Sequence, residues 1–163
     1  MSLLFFLSIL FLFSACYPAP EITTVILVRH ADRPEGIDTL NAAGLQRAEV
    51  LAKTLEGVDI DEIFSCGDNR VNTTLAPTAQ KLKLELKPYN HRELEAFSQL
   101  IKEEYVGTTI LVGGHSNTVP DMIKFFGAIP PVDLIPADEF DHLYILTYTE
   151  NTETNLIQLR YGE

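Results

Sequence analysis

TTVILVRHADRP, residues 23–34, opens with six β-branched or apolar residues and closes in a cluster of ionisable ones. The run Thr23 to Val28 shows no polar alternation, which is how a strand buried on both faces reads. Such strands belong to parallel sheets that helices cover on both sides. The residues just past the run, Arg29, His30, Ala31, Asp32 and Arg33, therefore stand where open parallel sheets bind ligands, beyond the carboxyl ends of their strands.

Downstream of this stretch the chain alternates between two periods. Leu45, Ala48, Leu51, Ala52 and Leu55 recur at helical spacing, predicting a helix over residues 41–55 with Gly57 as its stop. Ile60 to Ser65 reads as a second buried strand, Thr74 to Leu84 as a second amphipathic helix, and Leu84 to Pro88 as an edge strand ended by proline. Glu93 to Tyr105 predicts a third helix. Thr108 to Val112 is again a buried strand, closed by Gly113-Gly114, and Val119 to Phe126 the helix after it. Leu143 to Tyr148 and Leu156 to Tyr161, divided by a polar stretch, predict a hairpin. The expected architecture is α/β, a three-layer α/β/α sandwich with a mostly parallel central sheet and a C-terminal hairpin. It forms one domain over residues 23–163, preceded by a linker at 17–22.

The chain carries a formal net charge of -11 over 163 residues. That balance excludes nucleic acid as the expected partner, because affinity for a phosphate backbone comes from Lys and Arg releasing its counterions. It excludes a polybasic membrane patch for the same reason, and an anionic ligand has to be drawn in by local positive charge. Residues 1–15 carry no charged side chain. Leu3 to Phe13 is too short to span a bilayer comfortably and ends at Ser14-Ala15 before Cys16, which reads as a signal peptide. LFSAC resembles a bacterial lipobox and would make Cys16 the lipidated first residue of the mature chain; ordinary secretion with cleavage near Ala15 is the alternative. Both place the protein outside the cytoplasm, in the periplasm or as a cell-envelope lipoprotein whose membrane contact is the anchor at Cys16. With Cys16 lipidated, Cys66 has no partner and no disulfide is expected.

Three strand ends supply groups of the kind that grip a phosphate: Arg29 and His30 after the first, Arg70 after the second, His115 and Ser116 after the fourth. An arginine fork holds two oxygens and stays charged. A histidine among arginines is held neutral, as a nucleophile must be. His91 and His142 lack such surroundings and are expected at surface or packing positions. Neither an HExxH pair nor a Cys/His ligand spacing accompanies His30, Asp32 and His115, so no metal is expected. The GGHSNT glycines lack the lysine of a phosphate loop.

The segments VRHADRP, LNAAGLQRAEVLA, FSCGDNRVNTTLAPTA and VGGHSNTVP, in that order, resemble the successive boxes of the histidine phosphatase superfamily, also called phosphoglycerate mutase-like. DEFDHLYILT and LRYG resemble its small exported bacterial members. The resemblance runs over nearly the whole chain from Thr23. It implies that His30 is the nucleophile that becomes phosphohistidine, that Arg29, Arg70 and His115 complete the phosphate pocket with Ser116 and Asp32 beside them, and that neither metal nor organic cofactor is used. Val71, Asn72, Thr73 and Leu75 depart from the residues common in the second box, while Arg70 and Thr74 stand where expected. The general acid is left open among Glu93, on the loop after the third strand, Asp32, Glu139 and Asp141. The activity this implies is hydrolysis of a small phosphorylated substrate. A mutase using the same pocket, or a phosphate-binding lipoprotein without catalysis, are the alternatives.

Overall fold

The computed structural model describes residues 19–150 and 152–162. The proposed signal peptide, the lipobox with Cys16 and the first two linker residues lie outside them. No described helix is long and apolar enough to cross a membrane.

The strands are β1 (Thr23–Arg29), β2 (Glu62–Ser65), β3 (Leu86–Pro88), β4 (Thr109–Gly114), β5 (His142–Tyr148) and β6 (Asn155–Arg160). The helices are α1 (Ala42–Thr54), α2 (Asn69–Leu82), α3 (Leu94–Glu104) and α4 (Thr118–Phe125). One six-stranded sheet runs β3-β2-β4-β1-β5-β6. β1, β4, β2 and β3 are parallel, while β5 runs antiparallel to β1, and β6 to β5. The expected mostly parallel sheet with its terminal hairpin is what forms.

The absence of alternation in β1 has its cause in two cores. Val25 and Leu27 face a cluster that includes Phe97 and Ile101 of α3 and Val119, Met122 and Ile123 of α4. Ile26 and Val28 face the other, with Leu51 of α1 and Val71, Leu75 and Ala79 of α2. Each face removes apolar side chains from water, worth about 1.5–3 kcal/mol for each large residue fully buried. A strand serving both faces has no position to spare for a polar side chain.

Two expectations need correction. Leu45, placed by spacing on the buried face of α1, is 51% exposed, because Gly44 and Ala48 take the contact positions on that turn. α2 begins at Asn69, five residues before the expected Thr74. The Asp38 carboxylate, from a distant loop, accepts the backbone N–H groups of Asn69 (3.0 Å) and Arg70 (3.2 Å), satisfying orphan donors that a helix start leaves open. Arg70 thus stands on the first turn of a helix and not on a free loop.

Candidate active site

β2, β4 and β1 lie side by side, so the segments leaving their carboxyl ends converge on one edge of the sheet. The loop before antiparallel β5 reaches the same edge. Here Arg29, His30, Asp68, Arg70, His115 and Ser116 line a cleft of about 300 Å³, with Arg33, His91, Asn117 and Thr118 completing its wall. A larger hollow of about 700 Å³ opens between α3 and residues 148–150 and 152–154, where Thr23 begins β1. It sits at the opposite end of the strands and gathers no arginine or histidine.

The His30 ring is buried, and its Nδ1 is 2.9 Å from the carbonyl oxygen of Ala31. A carbonyl only accepts, so Nδ1 carries the proton and Nε2 keeps its lone pair. Burial pulls the pKa from the ordinary 6.5 to about 4; the Ala31 bond opposes this, and Arg29, Arg70 and His115 add to it. The imidazole is therefore neutral near pH 7. Its backbone is fixed from two elements, β4 and α2. His30 N–H donates to Gly114 O of β4 (2.9 Å), Ala31 N–H donates to the buried Thr74 hydroxyl of α2 (2.9 Å), and that hydroxyl donates to Arg70 O (2.7 Å).

Arg29 ends β1 with its guanidinium stacked on Phe140, 4.1 Å from the ring centroid. Its Nη1 donates to Pro136 O (2.7 Å) and Glu139 O (2.8 Å), and its Nη2 to Ala137 O (3.2 Å). Burial, then Arg33, lowers its pKa to about 10, so it stays cationic at neutrality. Arg70 pairs with Asp38 (2.7 Å) and Asp68 (2.7 Å). Both arginines keep a buried Nε–H without a protein acceptor.

The His115 ring lies 5.8 Å from that of His30, centroid to centroid. Its Nε2 is 2.9 Å from Asp68 Oδ2, the oxygen that Arg70 also holds. Burial, then Arg70, lowers the His115 pKa, while Asp68 opposes them. Its backbone N–H donates to Thr118 Oγ1 at 2.8 Å, which starts α4 in register with the cleft. Close packing makes this possible: a β-carbon at Gly113 would come within 2.8 Å of both Val71 and Leu75.

No protein-family model and no curated protein matches the chain. Solved structures do match. A mycobacterial glucosyl-3-phosphoglycerate phosphatase superposes with a TM-score of 0.66 at 13% identity, over 86% of this chain and 100% of that one. The phosphoglycerate mutase of Plasmodium falciparum gives 0.63 at 14% identity, over 85% and 90%. The alpha-ribazole phosphatase of Shigella flexneri gives 0.61 at 16% identity, over 84% and 96%. This is the phosphoglycerate mutase-like fold.

Within that phosphoglycerate mutase-like fold, the expected residues divide. Arg29, His30, Arg70, His115 and Ser116 come together in the cleft. Asp32 is absent from its lining: the carboxylate turns to Arg47 of α1 (2.6 Å), which also donates to Tyr161 O (3.3 Å) and Gly162 O (3.0 Å). The expectation that Asp32 touches phosphate gives way to a strut between the loop after β1, α1 and the C-terminal segment. Glu93 is exposed at the start of α3 and lines an adjoining hollow. Glu139 bonds His142 and Arg160, and Asp141 pairs with Arg160 (2.9 Å), and neither residue lines the cleft. His142 is buried, with Gln158 2.8 Å from its Nδ1. These partners also engage the ligand atoms of the Glu139, Asp141 and His142 trio, which otherwise lie close enough to share a metal.

Two cleft residues were not anticipated. Asp68 lies on the short loop between the second strand and α2, and the strand-end rule points at it once α2 is known to start at Asn69. His91 was expected at a surface or packing position. It instead lines the cleft with its ring 5.7 Å from His115, and the signal was its place on the loop leaving β3, another strand of the same edge.

Proposed function

We propose that this protein is an exported member of the histidine phosphatase superfamily that hydrolyses a small phosphorylated substrate through a phosphohistidine at His30. The observation that carries the reading is a buried, neutral histidine whose Nδ1 is capped by a backbone carbonyl, leaving Nε2 as the nucleophile in a cleft lined by Arg29, Arg70 and His115. Nε2 attacks phosphorus, the bond to the leaving oxygen breaks, and that oxygen takes a proton. Water then attacks phosphorus, the N–P bond breaks, and Nε2 recovers its lone pair as phosphate leaves. Arg29, Arg70 and His115 carry the charge that spreads over the phosphoryl oxygens, with Ser116 beside them. The cycle needs no metal or organic cofactor.

We assign the proton donor to His91. Among the described cleft residues it is a titratable side chain with no protein hydrogen bond to its ring nitrogens, whereas Asp68 is held by Arg70 and His115 and Glu93 stands outside the lining. A placed general acid contributes about 10²–10⁴ in rate. Export through residues 1–16, with lipidation at Cys16, belongs to the same reading and rests on LFSAC. The partner is the phosphorylated small molecule and not nucleic acid, in keeping with the net charge of -11.

The test is hydrolysis of a chromogenic phosphomonoester by the purified chain with chelator present, together with trapping of a labelled phosphohistidine by a denaturing alkaline quench, in which the N–P bond survives. Chelator-resistant turnover, a trapped label and loss of both in His30→Ala with unchanged circular dichroism are expected. Activity surviving in His30→Ala sinks the mechanism. His91→Ala is expected to lower kcat by about 100-fold, and Glu93→Gln to stay within about twofold of the parent; the reverse pattern returns the acid to Glu93.

A further inference from the structure

One cysteine beside the cleft has no part in that chemistry. Cys66 follows β2 directly, Asp68 precedes α2, and His115 follows β4, the strand next to β2. His115 Nε2 is 3.8 Å from Cys66 Sγ and 2.9 Å from Asp68 Oδ2, and one ligand atom from each residue lies within 4.8 Å of the others. Around a tetrahedral zinc ion, nitrogen, sulfur and oxygen ligands stand about 3.3–3.6 Å from one another. The two separations made by His115 bracket that range and the third lies within 4.8 Å, so a local adjustment of the side chains converts the trio into a three-ligand site with a fourth position open.

We propose that Cys66, Asp68 and His115 form a binding site for a borderline-soft divalent cation of the zinc class, and that the cation, once bound, blocks the phosphate cleft. The ligand set decides the class, since a thiolate with an imidazole and a carboxylate favours zinc over calcium or magnesium. Binding sends the thiol proton to solvent and moves the His115 proton from Nε2, which faces Asp68, to Nδ1, freeing the Nε2 lone pair for the metal. Arg70 is the adverse charge in the neighbourhood, and Asp38, 2.7 Å from its Nη1, offsets it. Asp68 has two oxygens, so one can stay with Arg70 while the other meets the metal. Occupancy by the cation takes His115 away from phosphate and places a dication among the cleft arginines, so metal and substrate exclude each other. No motif announces this site: the three residues span 49 positions and meet because β2 and β4 are neighbours.

The blocking role rests on the phosphohydrolase reading, whereas binding itself does not. The metal is therefore followed by spectroscopy as well as by turnover. Chelator-treated full-length protein is titrated with cobalt(II), a tetrahedral zinc surrogate that shows a thiolate charge-transfer band in the near ultraviolet. The band is expected in the parent and in Cys16→Ser, is displaced by zinc, and disappears in Cys66→Ser. Zinc is expected to inhibit phosphomonoester hydrolysis in the parent. In Cys66→Ser, which retains metal-free turnover, the half-inhibiting concentration should rise by about 100-fold or more. No band in the parent, or a band that survives in Cys66→Ser, overturns the site. A band without inhibition, or inhibition undiminished in Cys66→Ser, overturns the blocking role. Absence of hydrolysis in metal-free parent protein speaks against the phosphatase reading alone, because the cobalt spectrum does not depend on turnover.

Discussion

Asp68, to which the sequence assigns no role, ties two of the cleft's phosphate-class residues together. Its Oδ2 accepts from Arg70 at 2.7 Å and from His115 at 2.9 Å, both groups that the phosphatase reading gives to phosphate. A carboxylate of the chain therefore competes with the ligand for two of its holders. Removing the negative charge while keeping the shape should favour the ligand. Asp68→Asn is expected to tighten binding of inorganic phosphate by about tenfold, since charge-assisted bonds of this kind are worth about 1.5–3 kcal/mol each and only part of that is returned. Titration calorimetry at fixed ionic strength measures it, and weaker binding in the variant would mean that Asp68 positions His115 for phosphate and does not compete with it. Arg29 and His30, in contrast, sit where their places in VRHADRP imply, because a residue adjoining a strand end inherits its position from the strand.

The secondary-structure elements show where packing overrides local preference. α2 runs through Pro77 and starts with Asn69; an interior proline costs about 3 kcal/mol. Burial of Val71, Leu75 and Ala79 against the sheet and the Asp38 cap on its first turn outweigh that cost. Neither is visible in a local window, which is why the expected start fell at Thr74. α1 offers a sharper test. Asn41 Oδ1 accepts from Gly44 N at 2.9 Å, capping the helix, and a β-carbon on Gly44 would stand 2.1 Å from Asp32 O. Gly→Ala inside a helix ordinarily gains about 1 kcal/mol, but a contact this short forces backbone apart, and overpacking costs about 1–3 kcal/mol. Gly44→Ala is therefore expected to lower stability by about 1 kcal/mol or more in urea unfolding, and to reduce turnover because Asp32 lies two residues from His30. A more stable variant would show that the loop yields freely and carries no tension to His30.

The whole molecule answers to pH through the groups that its cleft keeps uncharged. His30 has a folded pKa of about 4 against an ordinary 6.5, and that of His115 is also lowered. Between those values the unfolded chain binds protons that the folded chain refuses. The contribution of His30 is thus fully present above about pH 6.5 and is lost as the pH falls toward 4. Acid also relieves the self-repulsion of a chain with net charge -11, which acts in the opposite direction, so the comparison has to be with a variant lacking the group. Urea midpoints measured from pH 7 to 4.5 are expected to fall less steeply in His30→Asn than in the parent, and equal slopes would show that His30 is not held neutral. The layered α/β/α arrangement, the edge of the sheet that carries the cleft, and the grouping of Arg29, His30 and His115 were legible in the chain. A strand covered on both faces must be apolar throughout, and strand ends in a parallel sheet share one edge. Asp32 turning to Arg47, His91 turning to His115, and Asp68 lying between Arg70 and His115 were decided only when the elements packed. Asp68 and His115 are 47 residues apart, and their separation depends on β2 lying beside β4 and on where α2 begins. Periodicity reports which face of an element is buried; it carries no information about the distance between two side chains on loops that different elements bring together.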